Sequence, residues 1–158
     1  MEALVWFRSD LRLEDNPALR NAFENSKKVH AIFIFSNKQL KKHNEANVKI
    51  DFTIKNLFLL EKKLAELNVP LTIIESDGFK NDASLIEKFI EKKNIDKAYW
   101  NNQFGEDETT RDKLVQNHLD NKNIKVSTFN DQIVYEPGFL KTGQGLPYSV
   151  FTPFKRKW

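Results

Sequence analysis

The run VHAIFIF at residues 29–35 decides the fold of this chain. It is continuously apolar and rich in Val, Ile and Phe, which is typical of a strand buried on both faces of a parallel sheet. Four further runs of the same character flank it along the chain: ALVWF (3–7), LTIIES (71–76), KAYWNN (97–102) and IKVSTF (124–129). We therefore predict five buried strands.

Helical patterns lie between these runs. Asn16 directly before Pro17 is a helix start signal, and apolar residues recur every three or four positions from 48 to 67, forming one helix face. Similar patterns at 85–90 and 114–119 indicate two more helices, the first preceded by a capping-box spacing at Ser84 and Glu87. Strands that alternate with helices predict an α/β fold, a doubly wound, Rossmann-like, five-stranded parallel sheet in three α/β/α layers.

The composition restricts the class of protein. With 158 residues, 40% hydrophobic and 30% charged, the chain has the make-up of one globular unit rather than of a disordered segment. It contains no Cys, which excludes disulfides, thiolate metal sites and cysteine nucleophiles. We see no signal peptide and no apolar run of about 20 residues, and therefore expect a cytoplasmic monomer without a membrane partner.

The regular pattern fails after about Phe129. Residues 130–158 contain three of the five Pro and three of the five Gly. We predict an α/β domain over residues 1–130 and an extended linker over 131–158, whose last ten residues carry an aromatic stripe at helical spacing.

Several common kinds of site are absent from the sequence. Open parallel sheets bind ligands outside the carboxyl ends of their strands, yet the first such turn, FRSDLRLEDNPAL (7–19), contains no Gly. An ordinary nicotinamide dinucleotide site or P-loop is therefore not expected. The three His residues lack metal-ligand spacing, and no nucleophile elbow surrounds any Ser, so we predict neither a metal site nor catalytic residues.

Charged residues crowd the loop after the first strand. Arg8, Asp10, Arg12, Glu14 and Asp15 all lie there. Two interpretations remain open: an ion-pair network that orders a long loop, or a fixed shape that packs against a second domain.

A second group of acids follows the fourth strand. Gly105 allows a tight turn, after which Glu106, Asp107 and Glu108 open a helix. These acids either complement the helix dipole or include a carboxylate that accepts two parallel N–H donors from a ring with an amidine-like edge, such as a pterin or guanine.

Three segments resemble one known family in order and spacing. VWFRSDLRLEDNPAL (5–19), YWNNQFGEDETTRD (99–112) and GLPYSVFTPFKRKW (145–158) are similar to the N-terminal part of the DNA photolyases and cryptochromes, most of all to bacterial folate-type photolyases of cyclobutane pyrimidine dimers. The resemblance implies an α/β domain that carries a light-harvesting antenna. It also implies a following helical domain, not in this sequence, that binds FAD and damaged DNA, so the isolated α/β domain is expected to be inactive.

The resemblance also implies a ligand site. Folate-type members hold methenyltetrahydrofolate with an Asn–Glu pair before a helix and a His after the second strand, which by position become Asp107, Glu108 and His43. Glu108 would accept hydrogen bonds from the pterin; Asp107 departs from the usual Asn, and His43 is either a ligand or an ordinary exposed loop residue. Deazaflavin or flavin mononucleotide are alternative antennas, and a cryptochrome-type photoreceptor or a free-standing nucleotide-binding protein are alternative functions.

Overall fold

The computed structural model describes the whole chain, Met1–Trp158, as five strands and six α-helices. The strands are β1 (Glu2–Phe7), β2 (Lys28–Ser36), β3 (Leu71–Ser76), β4 (Lys97–Asn101) and β5 (Lys125–Phe129). The helices are α1 (Pro17–Asn25), α2 (Asn37–Lys42), α3 (Asn47–Glu66), α4 (Asp82–Lys93), α5 (Glu106–Asp120) and α6 (Phe151–Lys157).

All strand pairs are parallel, and the strand order is β3-β2-β1-β4-β5. Strands β2 and β3 lie on one side of β1, and strands β4 and β5, which follow in the chain, lie on its other side. The order of connection therefore reverses between β1 and β4, and the predicted doubly wound α/β fold is confirmed.

Strand β1 divides the core into two layers because its side chains alternate between the faces of the sheet. Ala3, Val5 and Phe7 belong to the cluster packed against α1 and α3. Leu4 and Trp6 belong to the cluster packed against α4 and α5. All five are at most 1% exposed, so β1 is the centre of a three-layer α/β/α structure.

The predicted start of α1 is correct, whereas the capping box predicted for α4 is wrong. Helix α1 begins at Pro17 as predicted, and the Asn16 side chain accepts a hydrogen bond from the Leu19 N–H at 3.1 Å. The capping box at Ser84 and Glu87 does not form. Helix α4 begins earlier, at Asp82, so Ser84 lies within the first turn, where its hydroxyl donates to the Asn81 carbonyl.

The segment after β5 contains one short helix, α6, and otherwise no regular structure. Its start is attached to the loop after β1: Arg12 pairs with Asp131 at 2.5 Å, and Gln132 donates to the Ser9 hydroxyl at 2.8 Å. Farther along, large apolar side chains are exposed. None of the helices combines the length and apolar character needed to cross a bilayer.

Candidate functional site

A network of buried polar side chains fills the sheet edge where the strand order reverses. We call Asp10, Asn16 and Asn101 the switch-point network. The Asn101 amide nitrogen donates to Asp10 at 2.6 Å and to Asn16 at 2.9 Å, while its oxygen accepts from the Ala18 N–H at 3.1 Å. Asp10 also accepts from the Arg8 N–H at 2.8 Å. The network fixes the loop after β1, which agrees with the ordering interpretation of its charges.

Two buried arginines lie beside this network. The guanidinium carbons of Arg8 and Arg111 are 4.5 Å and 4.7 Å from the centre of the Trp6 ring, and both cations contact the carboxylate of Asp112. Arg8 also donates to the carbonyl of Asn101. Burial lowers the pKa of Arg8 to about 10, although Asp112 opposes the shift. Arg8 therefore stays charged at neutral pH, held by one acid and by aromatic faces.

A cleft of about 240 Å³ opens next to the arginines at the carboxyl edge of the sheet. Its walls come from the end of β2, from α2, from the first turns of α3 and from the start of α5. Side chains that line it include Arg8, Arg111, Gln103, Phe79, His43 and Glu108. The cleft thus lies on the β2 side of the switch-point network, which occupies the reversal itself.

Glu108 enters the cleft from the first turn of α5. Its side chain folds back over Gly105, the residue before the helix; a Cβ atom at that position would lie 2.1 Å from the Glu108 carboxylate. Gly105 has φ −65° and ψ 151°, a conformation open to any residue. Glycine therefore leaves room here for the Glu108 carboxylate in this orientation. Glu108 makes no ion pair within the chain, so its carboxylate can accept donors from a ligand.

His43 and Asp107 lie on the α2 side of the site. His43 ends α2 and lines the cleft, whereas Asp107 lines only the adjoining surface. The Asp107 carboxylate accepts from Lys42 at 2.5 Å and Gln39 at 3.0 Å, and it lies 3.1 Å from His43 Nε2. These contacts, Lys42 first, lower the pKa of Asp107. The structure brings His43 and Glu108 to one cleft and places Asp107 behind His43, as a link between α2 and α5.

Arg111 and Gln103 are two polar residues among those of the cleft that were not predicted from the sequence. Arg111 follows Glu108 by three positions on α5, a spacing that puts both on one helix face, and this signal could have identified it. Arg111 donates to the side chain of Gln103 at 2.7 Å. Gln103 comes two residues after β4, in the position where an open α/β sheet presents ligand contacts.

Comparison with known proteins identifies the family. The chain matches the family described as DNA photolyase over residues 3–158. It belongs to the DNA photolyase family. Members of the family bind flavin and a light-harvesting chromophore. The resemblance carried by the three sequence segments is therefore confirmed.

Two curated relatives illustrate how much of a photolyase is present. The chain is 37% identical over 155 residues to the deoxyribodipyrimidine photo-lyase of Vibrio cholerae, and 35% identical over 156 residues to that of Escherichia coli. Each alignment covers 98% of this chain and 33% of the relative. The chain spans about a third of the length of these photolyases.

Solved structures agree with the fold. A class III photolyase from Agrobacterium tumefaciens superimposes with a TM-score of 0.79 at 27% identity, covering 98% of this chain and 31% of that one. A photolyase from Sulfolobus tokodaii, described with two FAD molecules and a novel light-harvesting cofactor, superimposes with a TM-score of 0.77. At 22% identity over 90% of this chain and 32% of that one, it supports the fold alone.

Proposed function

We propose that this chain is the light-harvesting, chromophore-binding domain of a deoxyribodipyrimidine photolyase, an enzyme that uses blue or near-UV light to split cyclobutane pyrimidine dimers in DNA. The observation that carries the proposal is the cleft at the carboxyl edge of the sheet, which exposes the unpaired carboxylate of Glu108 beside His43. The whole enzyme would act in the cytoplasm as a monomer. This chain holds the antenna and supplies no catalytic residue.

The antenna that fits Glu108 best is methenyltetrahydrofolate. A pterin presents an amino group and a ring N–H side by side, and one carboxylate can accept both in a fork. Deazaflavin and flavin mononucleotide present instead a pyrimidinedione edge, in which one N–H lies between two carbonyl oxygens. The negative charge of the Glu108 carboxylate would repel these two oxygens. His43 lines the same cleft.

Asp107 has a different role in this proposal. Its carboxylate is engaged by Lys42, Gln39 and His43, so it acts as a positioning residue for His43 instead of meeting the pterin. An acid is well suited to that role because all three partners offer N–H donors.

FAD and damaged DNA would bind to a helical domain that follows this chain in the full enzyme. The support is that the photolyase relatives are about three times as long. In this proposal residues 131–158 form the linker, and its exposed apolar side chains, including Val134 and Phe139 at 77% and 67% exposure, pack on that domain.

A binding measurement tests the antenna assignment. The purified chain should retain methenyltetrahydrofolate, detected as near-UV absorbance that travels with the protein in gel filtration. Glu108→Gln should weaken binding by roughly 1.5–3 kcal/mol, because it removes hydrogen bonds to a charged acceptor.

Glu106→Gln is the matched control, since it changes the same charge in the same helical turn on a residue that does not line the cleft. It should leave the affinity within twofold. Equal affinity of the Glu108→Gln variant and the parent chain would refute the role of Glu108, and no retention by the parent chain would refute the antenna assignment.

A further inference from the structure

Two buried indoles lie beside the cleft, and the proposed function gives them no role. Trp6 of β1 and Trp100 of β4 are each 1% exposed, and their ring centres are 5.5 Å apart. Both strands end at the edge of the sheet where the cleft opens. We call Trp6 and Trp100 the indole pair. The chain contains one further tryptophan, Trp158, which is 61% exposed and directly follows α6.

Two arginines connect the indole pair to the cleft. The guanidinium carbons of Arg8 and Arg111 lie 4.5 Å and 4.7 Å from the centre of the Trp6 ring, and that of Arg8 lies 5.8 Å from the centre of the Trp100 ring. Both arginines line the cleft. A ligand ring in van der Waals contact with either guanidinium therefore has its nearest atoms within about 10 Å of Trp6.

The separation and the ring orientations both favour transfer of excitation from the indoles to a near-UV chromophore. Resonance transfer of this kind works well beyond a single layer of side chains, because indole emission overlaps near-UV absorption. Its rate vanishes only for certain mutual orientations of the two transition dipoles. Each indole has two absorbing transitions that point in different directions within its ring plane, and the planes of the pair cross at 77°. The indole pair can therefore excite a ligand in any orientation.

The same surroundings disfavour the competing process, in which an indole gives an electron to the excited ligand. That step would leave a positive charge on the indole ring. Two guanidinium cations already lie against Trp6, and like charges this close repel; Asp112, which contacts both, compensates part of their charge. Neither indole N–H has an acceptor within the chain, so an oxidised indole could not pass its proton to a neighbouring base.

We infer that the indole pair collects ultraviolet light and passes the excitation to the chromophore in the cleft. This inference rests on the proposed function and adds a second absorbing group to it. Trp6 and Trp100 also pack in the core layer formed with α4 and α5. The readout must therefore report which group absorbed the light that the ligand emits, because packing alone does not determine that.

The first experiment uses the variant Trp158→Phe, in which the indole pair provides the only indoles and the core is unchanged. The chain is saturated with methenyltetrahydrofolate and excited at the long-wavelength edge of indole absorption, where tyrosine does not absorb. The lifetime of the indole emission should fall severalfold on binding, and ligand emission should rise over the same interval. An unchanged lifetime would overturn the inference, and so would a shorter lifetime without that rise, which indicates electron transfer.

The second experiment compares excitation spectra of the bound ligand, each scaled to its near-UV maximum. The parent chain should show more ligand emission in the indole region than the free ligand does, and the double variant Trp6→Phe, Trp100→Phe should lose most of this excess. Trp158→Phe is the matched control, since it makes the same substitution outside the cleft and the core, and it should keep most of the excess.

The outcomes separate this inference from the proposed function. An excess that survives in the double variant would overturn the inference and leave the antenna assignment intact. If the double variant does not fold, the lifetime measurement decides, because it leaves the core unaltered. Glu108→Gln should lower the affinity but not the transfer per bound ligand. If the parent chain binds no methenyltetrahydrofolate, both the inference and the antenna assignment fall.

Discussion

Two groups of polar side chains lie next to each other at the carboxyl edge of the sheet, and they differ in where their hydrogen bonds go. In the switch-point network, Asn101 binds Asp10, Asn16 and the Ala18 N–H, all within the chain. In the cleft, Glu108 has no ion-pair partner of its own. The strand-order reversal, where such folds commonly bind ligands, is closed here by the protein itself, and the open site is displaced toward β2.

This difference implies that the switch-point network and the cleft have separate roles. The network orders the loop after β1 and, through Arg8, supports one wall of the cleft. Substitutions in the network should therefore appear first as lost stability, and substitutions in the cleft as lost affinity at unchanged stability.

Asn101→Ala should have the largest effect. It leaves the N–H of Ala18 without a partner and takes one donor from the buried carboxylate of Asp10, which keeps the Arg8 N–H. Losses of this kind in a buried charged network cost about 3–5 kcal/mol. Urea unfolding followed by circular dichroism measures the change. Glu108→Gln in the same assay should shift the free energy of unfolding by less than about 0.5 kcal/mol. A similar small shift for Asn101→Ala would remove the distinction between the two groups.

The next largest effect is the pH dependence of stability that Asp82 causes. This residue is 1% exposed and accepts the Ser76 hydroxyl at 2.8 Å. Burial raises its pKa from 3.8 to about 6, opposed by Ser76 and Arg111. The folded state therefore holds a proton that the unfolded state releases, and the contribution of Asp82 to stability falls as pH rises from about 4 to about 6.

Asp82→Asn removes this titration. The shift of about two units corresponds to about 2–3 kcal/mol, so the variant should gain that much stability relative to the parent between pH 4 and pH 7. Chemical denaturation at several pH values measures it. A difference that stays constant with pH would show that Asp82 is already ionised in the folded state.

Much of the fold was predictable because buried strands leave a strong signal. The apolar runs placed all five strands, since a strand covered on both faces requires apolar residues in succession. Helix α2 was missed because NKQLKK (37–42) contains a single apolar residue. Helix α2 is stabilised by the Ser36 cap and by the contacts of Gln39 and Lys42 with Asp107. The contacts with Asp107 are tertiary and leave no signal in the local sequence.

The sequence indicated where the candidate cleft lies but not which residues line it. Parallel topology required that the loops after β2 and β4 meet at one edge, which brings His43 and Glu108 to one cleft. It could not separate Asp107 from Glu108. Successive residues on a helix point about 100° apart, so these neighbouring acids face different surroundings. The burial of Arg111 could not be predicted either, since it depends on a tertiary contact, the stacking of its guanidinium over the Trp6 ring of β1.

Gly105→Ala should give the smallest effect and the sharpest test of the cleft. The backbone at Gly105 accepts alanine, so the stability loss should stay below about 1 kcal/mol, the scale of a helix-cap substitution. The added Cβ would collide with the Glu108 carboxylate, 2.1 Å away, and displace it without changing any charge. Affinity for methenyltetrahydrofolate should then fall about fivefold, less than for Glu108→Gln, because a displaced carboxylate keeps part of its interaction. Gly143→Ala, where the new Cβ would meet nothing within 4 Å, should change neither quantity. If Gly105→Ala binds as tightly as the parent while Glu108→Gln does not, Glu108 reaches the ligand from another rotamer, and the observed orientation is not the binding one.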